Sequence, residues 1–155
     1  MNAEDGPQEP AEHARFAAYL ADLEQVADAD EIELVGRVLA DPDRVMAQAA
    51  VVRHLDRRAA ELCPDPVWEE WAAGMARAVA DRPFLTRRLR EWSLLRALTL
   101  RLPWRADALL ASSDWLQLKA AAGSDPEALG VLTDRGRTKR IRRTARAGLT
   151  RRCGS

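Results

Sequence analysis

The sequence predicts an all-α fold. Three observations carry this. Apolar residues recur at three- and four-residue spacings along most of the chain, no segment shows the period-two alternation of a strand, and Gly and Pro fall between the periodic stretches. Composition agrees, since 29 Ala and 22 Arg among 155 residues are strong helix formers. A chain of this length can bury one sizeable core without metals or disulfides. Residues 11–152 are therefore read as a single all-helical domain, preceded by a polar, acidic and disordered segment, residues 1–10.

The first helix, residues 11–27, places Phe16, Tyr19, Leu20, Leu23 and Val26 on one stripe. Asp30 followed by Glu33 has capping-box spacing for a second helix, whose inner side is Ile32, Val35, Val38 and Leu39. Asp-Pro recurs at 41–42, 65–66 and 125–126. Proline is tolerated in the first helical turn and a nearby Asp can bind free amides, so each pair is read as a helix start. Ser124-Asp-Pro-Glu127 has a full capping-box spacing. The third helix carries Val45, Ala49, Val52, Leu55, Ala59 and Leu62, and the fourth Val67, Trp71, Met75, Ala78 and Val79.

Pro83 opens a fifth helix with a seam of Leu85, Leu89, Trp92, Leu95, Leu98 and Leu102, and Pro103 stops it. A short helix follows over residues 104–110. Ser112 or Ser113 caps the next, which carries Trp115, Leu118 and Ala122. Ala128, Leu129, Val131 and Leu132 lie on the one after. The last helix, from Thr138, has only Ile141, Ala145 and Leu149 on its apolar stripe, with arginine filling most of the remainder.

Leu39-Ala-Asp-Pro-Asp-Arg-Val45 through Leu55 forms a helix end, a proline turn and a second amphipathic helix, and residues 132–149 repeat the theme around Ile141. This pattern resembles the inter-helix turn and second helix of HEAT repeats, with residues 81–98 as a middle copy. Val45 and Ile141 are 96 residues apart, which two periods of about 45–50 residues accommodate. Met46 stands where such repeats often carry arginine, and the middle copy lacks the Asp-Pro-Asp turn. The resemblance implies stacked antiparallel helical hairpins, a HEAT-like α-solenoid, used for binding a protein or, less often, nucleic acid. Read from the residues alone, an irregular helical bundle is the alternative architecture.

A net charge of zero conceals a strong asymmetry. Residues 1–43 hold 12 acidic and 2 basic side chains, whereas residues 134–155 hold 1 acidic and 9 basic. Such polarity serves a basic tail for nucleic acid, an acidic face for a partner, or two ends that attract each other in the fold. Cys63 and Cys153 belong to no metal-ligand spacing and suit a reduced cytoplasmic protein. No apolar run reaches the roughly 18 residues of a membrane span, and the arginine-for-lysine bias suggests GC-rich bacterial coding.

No catalytic constellation stands out. His13 and His54 have no ligand at helical spacing and are read as exposed, and the adjacent Glu69 and Glu70 point about 100° apart on a helix. Gly136 is read as a helix C-cap rather than part of a phosphate loop. The sequence therefore predicts a noncatalytic helical module that binds another protein or a second copy of itself. No metal, cofactor or membrane is expected, and whether any enzymatic activity exists is left open. A nucleic-acid-binding module led by the basic last helix is the alternative. The candidate binding residues are Arg135, Arg137, Lys139, Arg140, Arg142, Arg143 and Arg146. Trp68, one position off its helix's stripe, and Trp104, following Pro103 at a helix start, are candidate exposed anchors.

Overall fold

A computed structural model describes residues 8–154. In chain order the helices are α1 (Gln8–Gln25), α2 (Glu31–Leu39), α3 (Arg44–Leu62), α4 (Trp68–Ala78), α5 (Pro83–Leu100), α6 (Ala106–Ala111), α7 (Asp114–Ala121), α8 (Pro126–Arg135) and α9 (Lys139–Cys153). A 3-10 turn, Asp28–Asp30, leads into α2. The described residues contain no strand, so the fold is all-α. Of the segment expected to be disordered, residues 1–7 lie outside the described residues, and Gln8 already begins α1. The helices sort into two compact units. The first runs through Leu62 and includes Pro66–Thr86; the second comprises Cys63–Asp65 and the chain from Arg87 onward.

In the first unit α1 and α2 pack on α3, and α4 packs on α2. The covered residues of the first stripe are the expected Phe16, Tyr19, Leu20, Leu23 and Val26. On α2, Leu34, Val35, Val38 and Leu39 are buried and Ile32 is half-buried. The buried line of α3 is Ala47, Ala50, Val51, His54, Leu55 and Ala59. Val45 is 82% exposed and Ala49 is exposed as well, which corrects the first half of the expected stripe. The expected positions step by slightly less than 3.6 residues, so that seam winds round the helix and its two ends face different directions. Small alanines fill the inward side where α1 and α2 both approach. Trp68, Trp71, Met75 and Val79 form the buried line of α4, while Val67 is exposed.

Several helix starts use a different cap from the expected one. Asp30 makes no side-chain cap bond, because it sits in helical conformation inside the 3-10 turn rather than in the extended backbone a cap needs. Asp43, not Asp41, caps α3 by accepting from the Met46 amide at 3.0 Å. Asp65 and Pro66 lie in the turn before α4, whose N-cap Val67 offers no side-chain acceptor. At α8 the cap is Asp125, accepting from the Ala128 amide at 2.9 Å with Pro126 in the first turn, so the Ser124-to-Glu127 box is one residue out of register.

The second unit has its core in Leu98, Leu109, Leu116, Ala120, Ala121, Ala128, Leu129, Leu132, Ile141 and Ala145. Trp115 and Leu118, expected on the α7 stripe, are half-buried, while Leu116, Ala120 and Ala121 point fully inward and Ala122 is exposed. Leu102, at the end of the expected α5 seam, is also exposed. Ser113 caps α7 and Thr138 caps α9. Gln117 is buried because both ends of its amide are used. Its Nε2 donates to the carbonyls of Leu109 and Leu110, and its Oε1 accepts from the Arg137 amide at 3.0 Å.

Among the described residues no helix is long and apolar enough to cross a membrane. The end of α5 carries a local strain. Arg101 has φ 57°, a left-handed conformation that lets the Leu102 amide reach the Ala97 carbonyl at 2.9 Å. Glycine adopts this conformation without a Cβ clash, so Arg101→Gly is expected to raise stability by about 1 kcal/mol in urea unfolding. An unchanged or lowered midpoint contradicts the reading of that turn.

Candidate functional site: the outer face of the last helix

α9 is set in place by small contacts. Ile141, Ala145 and Gly148 are buried, and α7 and α8 pack against the helix. A Cβ on Gly148 would come within 3.2 Å of Leu129, and one on Gly136 would lie 2.6 Å from the Leu132 carbonyl oxygen and 2.7 Å from the Ile141 side chain. Gly136 is thus required by close approach at the C-cap of α8, where its φ of −55° demands no special conformation.

This seating divides the candidate residues into two groups. Arg137 serves the fold: it donates to Asp114 at 2.6 Å and to the carbonyls of Leu110 and Ser112. Arg142 lies back on the α8–α9 turn and donates to the Gly136 carbonyl at 2.6 Å. Arg152 donates to the Ser124 carbonyl. Arg135, Lys139, Arg140, Arg143 and Arg146 are exposed, and their side chains make no hydrogen bond or ion pair with another described residue. Lys139, Arg143 and Arg146 fall within about 60° of one another on the helix over about 10 Å of its length, with Arg140 flanking them. The buried residues Ile141, Ala145 and Gly148 occupy the opposite side. The α9 sequence contains no acidic residue.

The tryptophans offered as anchors are placed otherwise. Trp68 is only 2% exposed and stacks at 5.2 Å from Trp71, which removes it as a surface anchor. Its position three residues before Trp71 and seven before Met75 is the signal that it belongs to the buried line. Trp104 is half-buried against the core of the second unit.

The first unit holds a polar cluster that the sequence reading missed. Glu31 and His54 are each 2% exposed, correcting the expectation that His54 faces solvent. His54 Nε2 donates to Glu31 Oε2 at 2.6 Å, and Arg57 donates to His54 Nδ1 at 2.9 Å. A guanidinium can only donate, so the ring is assigned as neutral with its proton on Nε2. Arg58 donates to both Glu31 oxygens, at 3.0 and 3.2 Å, and Trp71 Nε1 donates to Oε1 at 3.0 Å. Every acceptor position of the buried carboxylate is filled, and both ring nitrogens are engaged. The arrangement is suited to holding α2, α3 and α4 together rather than to moving a proton for a substrate. The signal was present: Glu31 lies one turn before Leu34 and Val35, and His54 one turn after Ala50 and Val51.

Two further acidic residues of the first third, Asp41 and Asp28, are engaged in the same way. Asp41 accepts from Tyr19 at 2.6 Å, from the Asp43 amide and from Arg15. The Tyr19 hydrogen bond foremost, with the Asp43 amide and Arg15, holds the Asp41 carboxyl below its ordinary range. Arg58 also reaches Asp28 and Glu61. Cys63 is a free, buried cysteine whose thiol burial pushes up, and Cys153 is free and exposed. Among the described residues no group of three or more His, Cys, Asp and Glu is placed to hold a metal ion.

Comparison of the chain with protein-family models, curated proteins and solved structures gives no match.

Two outcomes follow from these geometries. Burial alone would raise the Glu31 pKa, but hydrogen bonds from His54 and Arg58, with the charge of the Arg58 guanidinium, outweigh it and hold the group at about 2 against an ordinary 4.5. Its contribution is present above pH 4.5 and lost as the pH falls toward 2, about 3 kcal/mol at roughly 1.4 kcal/mol per pKa unit. Urea unfolding of wild type and Glu31→Gln across that window should converge toward low pH; parallel curves contradict an ionised, paired Glu31. Arg137→Ala should cost about 1–2 kcal/mol, whereas Arg143→Ala should stay within about 0.5 kcal/mol of wild type. Equal losses in the two thermal melts would contradict the division of the arginines.

Proposed function

We propose that this protein is a noncatalytic helical interaction module that docks a polyanionic macromolecule on the outer face of α9. The observation that carries the reading is the set of exposed cations, without a side-chain partner among the described residues, on a helix whose other side is locked into a core. Charge concentrated on an ordered element attracts an anionic partner without a large cost of ordering the binding segment. The resemblance to HEAT-like repeats, helical stacks that bind other macromolecules, supports the same reading. Two cysteines without a disulfide suit a cytoplasmic protein. A protein partner or a second copy is a second reading, the use that the HEAT-like resemblance implies first.

Retention on immobilised heparin tests the proposal. Wild type should elute at high salt, and combined Arg143→Glu and Arg146→Glu should shift elution to much lower salt. The same two-charge reversal at the exposed Arg37 and Arg53 should shift it far less. Equal shifts from the two pairs would reduce the effect to net charge and contradict a site on α9.

A further inference from the structure

Resting on that reading, we infer that the polyanion taken by α9 is duplex DNA, bound through its phosphate backbone. The composition of the exposed face separates the candidate partners. Beside Lys139, Arg140, Arg143 and Arg146, the exposed positions up to the last turn are Ala147 and Thr150. Leu149, the one large apolar side chain nearby, is half-buried against the core of the second unit. Protein interfaces draw their binding energy from buried aromatic or aliphatic anchors seated in pockets, and this face offers none. A phosphodiester backbone needs only cations and hydrogen-bond donors.

The form of nucleic acid follows from two further points. Single strands are held by aromatic side chains on which bases stack, and residues 116–155 contain no Phe, Trp or Tyr. The four cations project from one exposed helical surface, a shape that the major groove of B-form DNA, about 12 Å wide, accommodates between its phosphate walls. The deep, narrow major groove of A-form RNA does not. Three of the four are arginines, whose planar guanidinium can grip a phosphate with two parallel hydrogen bonds.

The placement of charge also runs against what folding favours. Lys139 and Arg140 occupy the first turn of α9, where the helix dipole is positive and acidic residues are the stabilising choice. Neither has a partner among the described residues that would offset the repulsion. An anion bound across the face supplies that partner.

Fluorescence-anisotropy titration of the full chain tests this, using a short mixed-sequence DNA duplex, its isolated strand, an RNA duplex of the same sequence and poly-L-glutamate of matched charge, each over a salt series. The DNA duplex should bind tightest. Four phosphate contacts give a slope of log affinity on log salt near −3.5, roughly a hundredfold loss between about 50 and 200 mM salt. Arg143→Ala should reduce that slope by about one with an unchanged thermal melt. Equal or tighter binding of poly-L-glutamate, of the single strand or of the RNA duplex overturns the assignment to DNA while leaving a polyanion site standing. No binding to any of the four overturns both. A slope unaltered by Arg143→Ala overturns the placement on α9.

Discussion

The rotational setting of α9 is the constraint on which the functional reading depends. Gly136 admits an approach that a Cβ would block, Gly148 one that a Cβ would crowd, and Ile141 and Ala145 complete the seam. Once that side faces the core, helical geometry assigns every other residue a direction. Arg137 and Arg142 then lie close to backbone carbonyls of neighbouring turns, and Lys139, Arg140, Arg143 and Arg146 face away. The same arginine-rich sequence thus yields clasps, Arg137 just before the helix and Arg142 on its flank, and an outward charged face that no described residue pairs.

Charge in the first unit obeys the opposite arrangement. Its distinctive acidic groups are consumed locally: Glu31 by His54, Arg58 and Trp71, and Asp41 by Tyr19, Arg15 and the Asp43 amide. A buried carboxylate is tolerable only when each of its acceptor sites is satisfied, and Glu31 meets that condition with donors from α3 and α4. The asymmetry in the sequence therefore has different meanings at its two ends. Several of the acidic residues near the start are part of how α1, α2 and α3 are held, and the basic residues near the end are divided between holding the fold and facing solvent.

The all-α class was legible because apolar spacing, helix-compatible composition and proline placement agreed; the stripe of α1 was read with the right residues, and that of α9 with Ile141 and Ala145 but with half-buried Leu149 in place of buried Gly148. Rotation was harder. Val45 and Val52 outrank Ala47 and Ala50 in hydrophobicity, yet the alanines are buried, because close helix approach selects small size over large apolar area. Cap identity slipped by two residues at α3, from Asp41 to Asp43, whereas at α8 the Asp125-Pro126 start was read correctly and only the Ser124-to-Glu127 box was out of register. Glu31 and His54 stayed hidden since a charged or titratable residue on a buried line is legible only when its distant partner is known. On α9 the cationic residues were visible at once, but which of them fold the chain depends on carbonyls of the α6–α7 and α8–α9 turns that no local pattern reveals.

The central claim is that no described residue neutralises the outward charge of α9. Near-surface electrostatic potential, measured by NMR as the difference in amide relaxation produced by anionic and cationic nitroxide probes, tests it most directly. The account predicts that amides of residues 139–147 are relaxed far more strongly by the anionic probe and carry a more positive potential than any other helix. Equal relaxation by the two probes along α9 would mean that its cations are already paired, and would contradict the account.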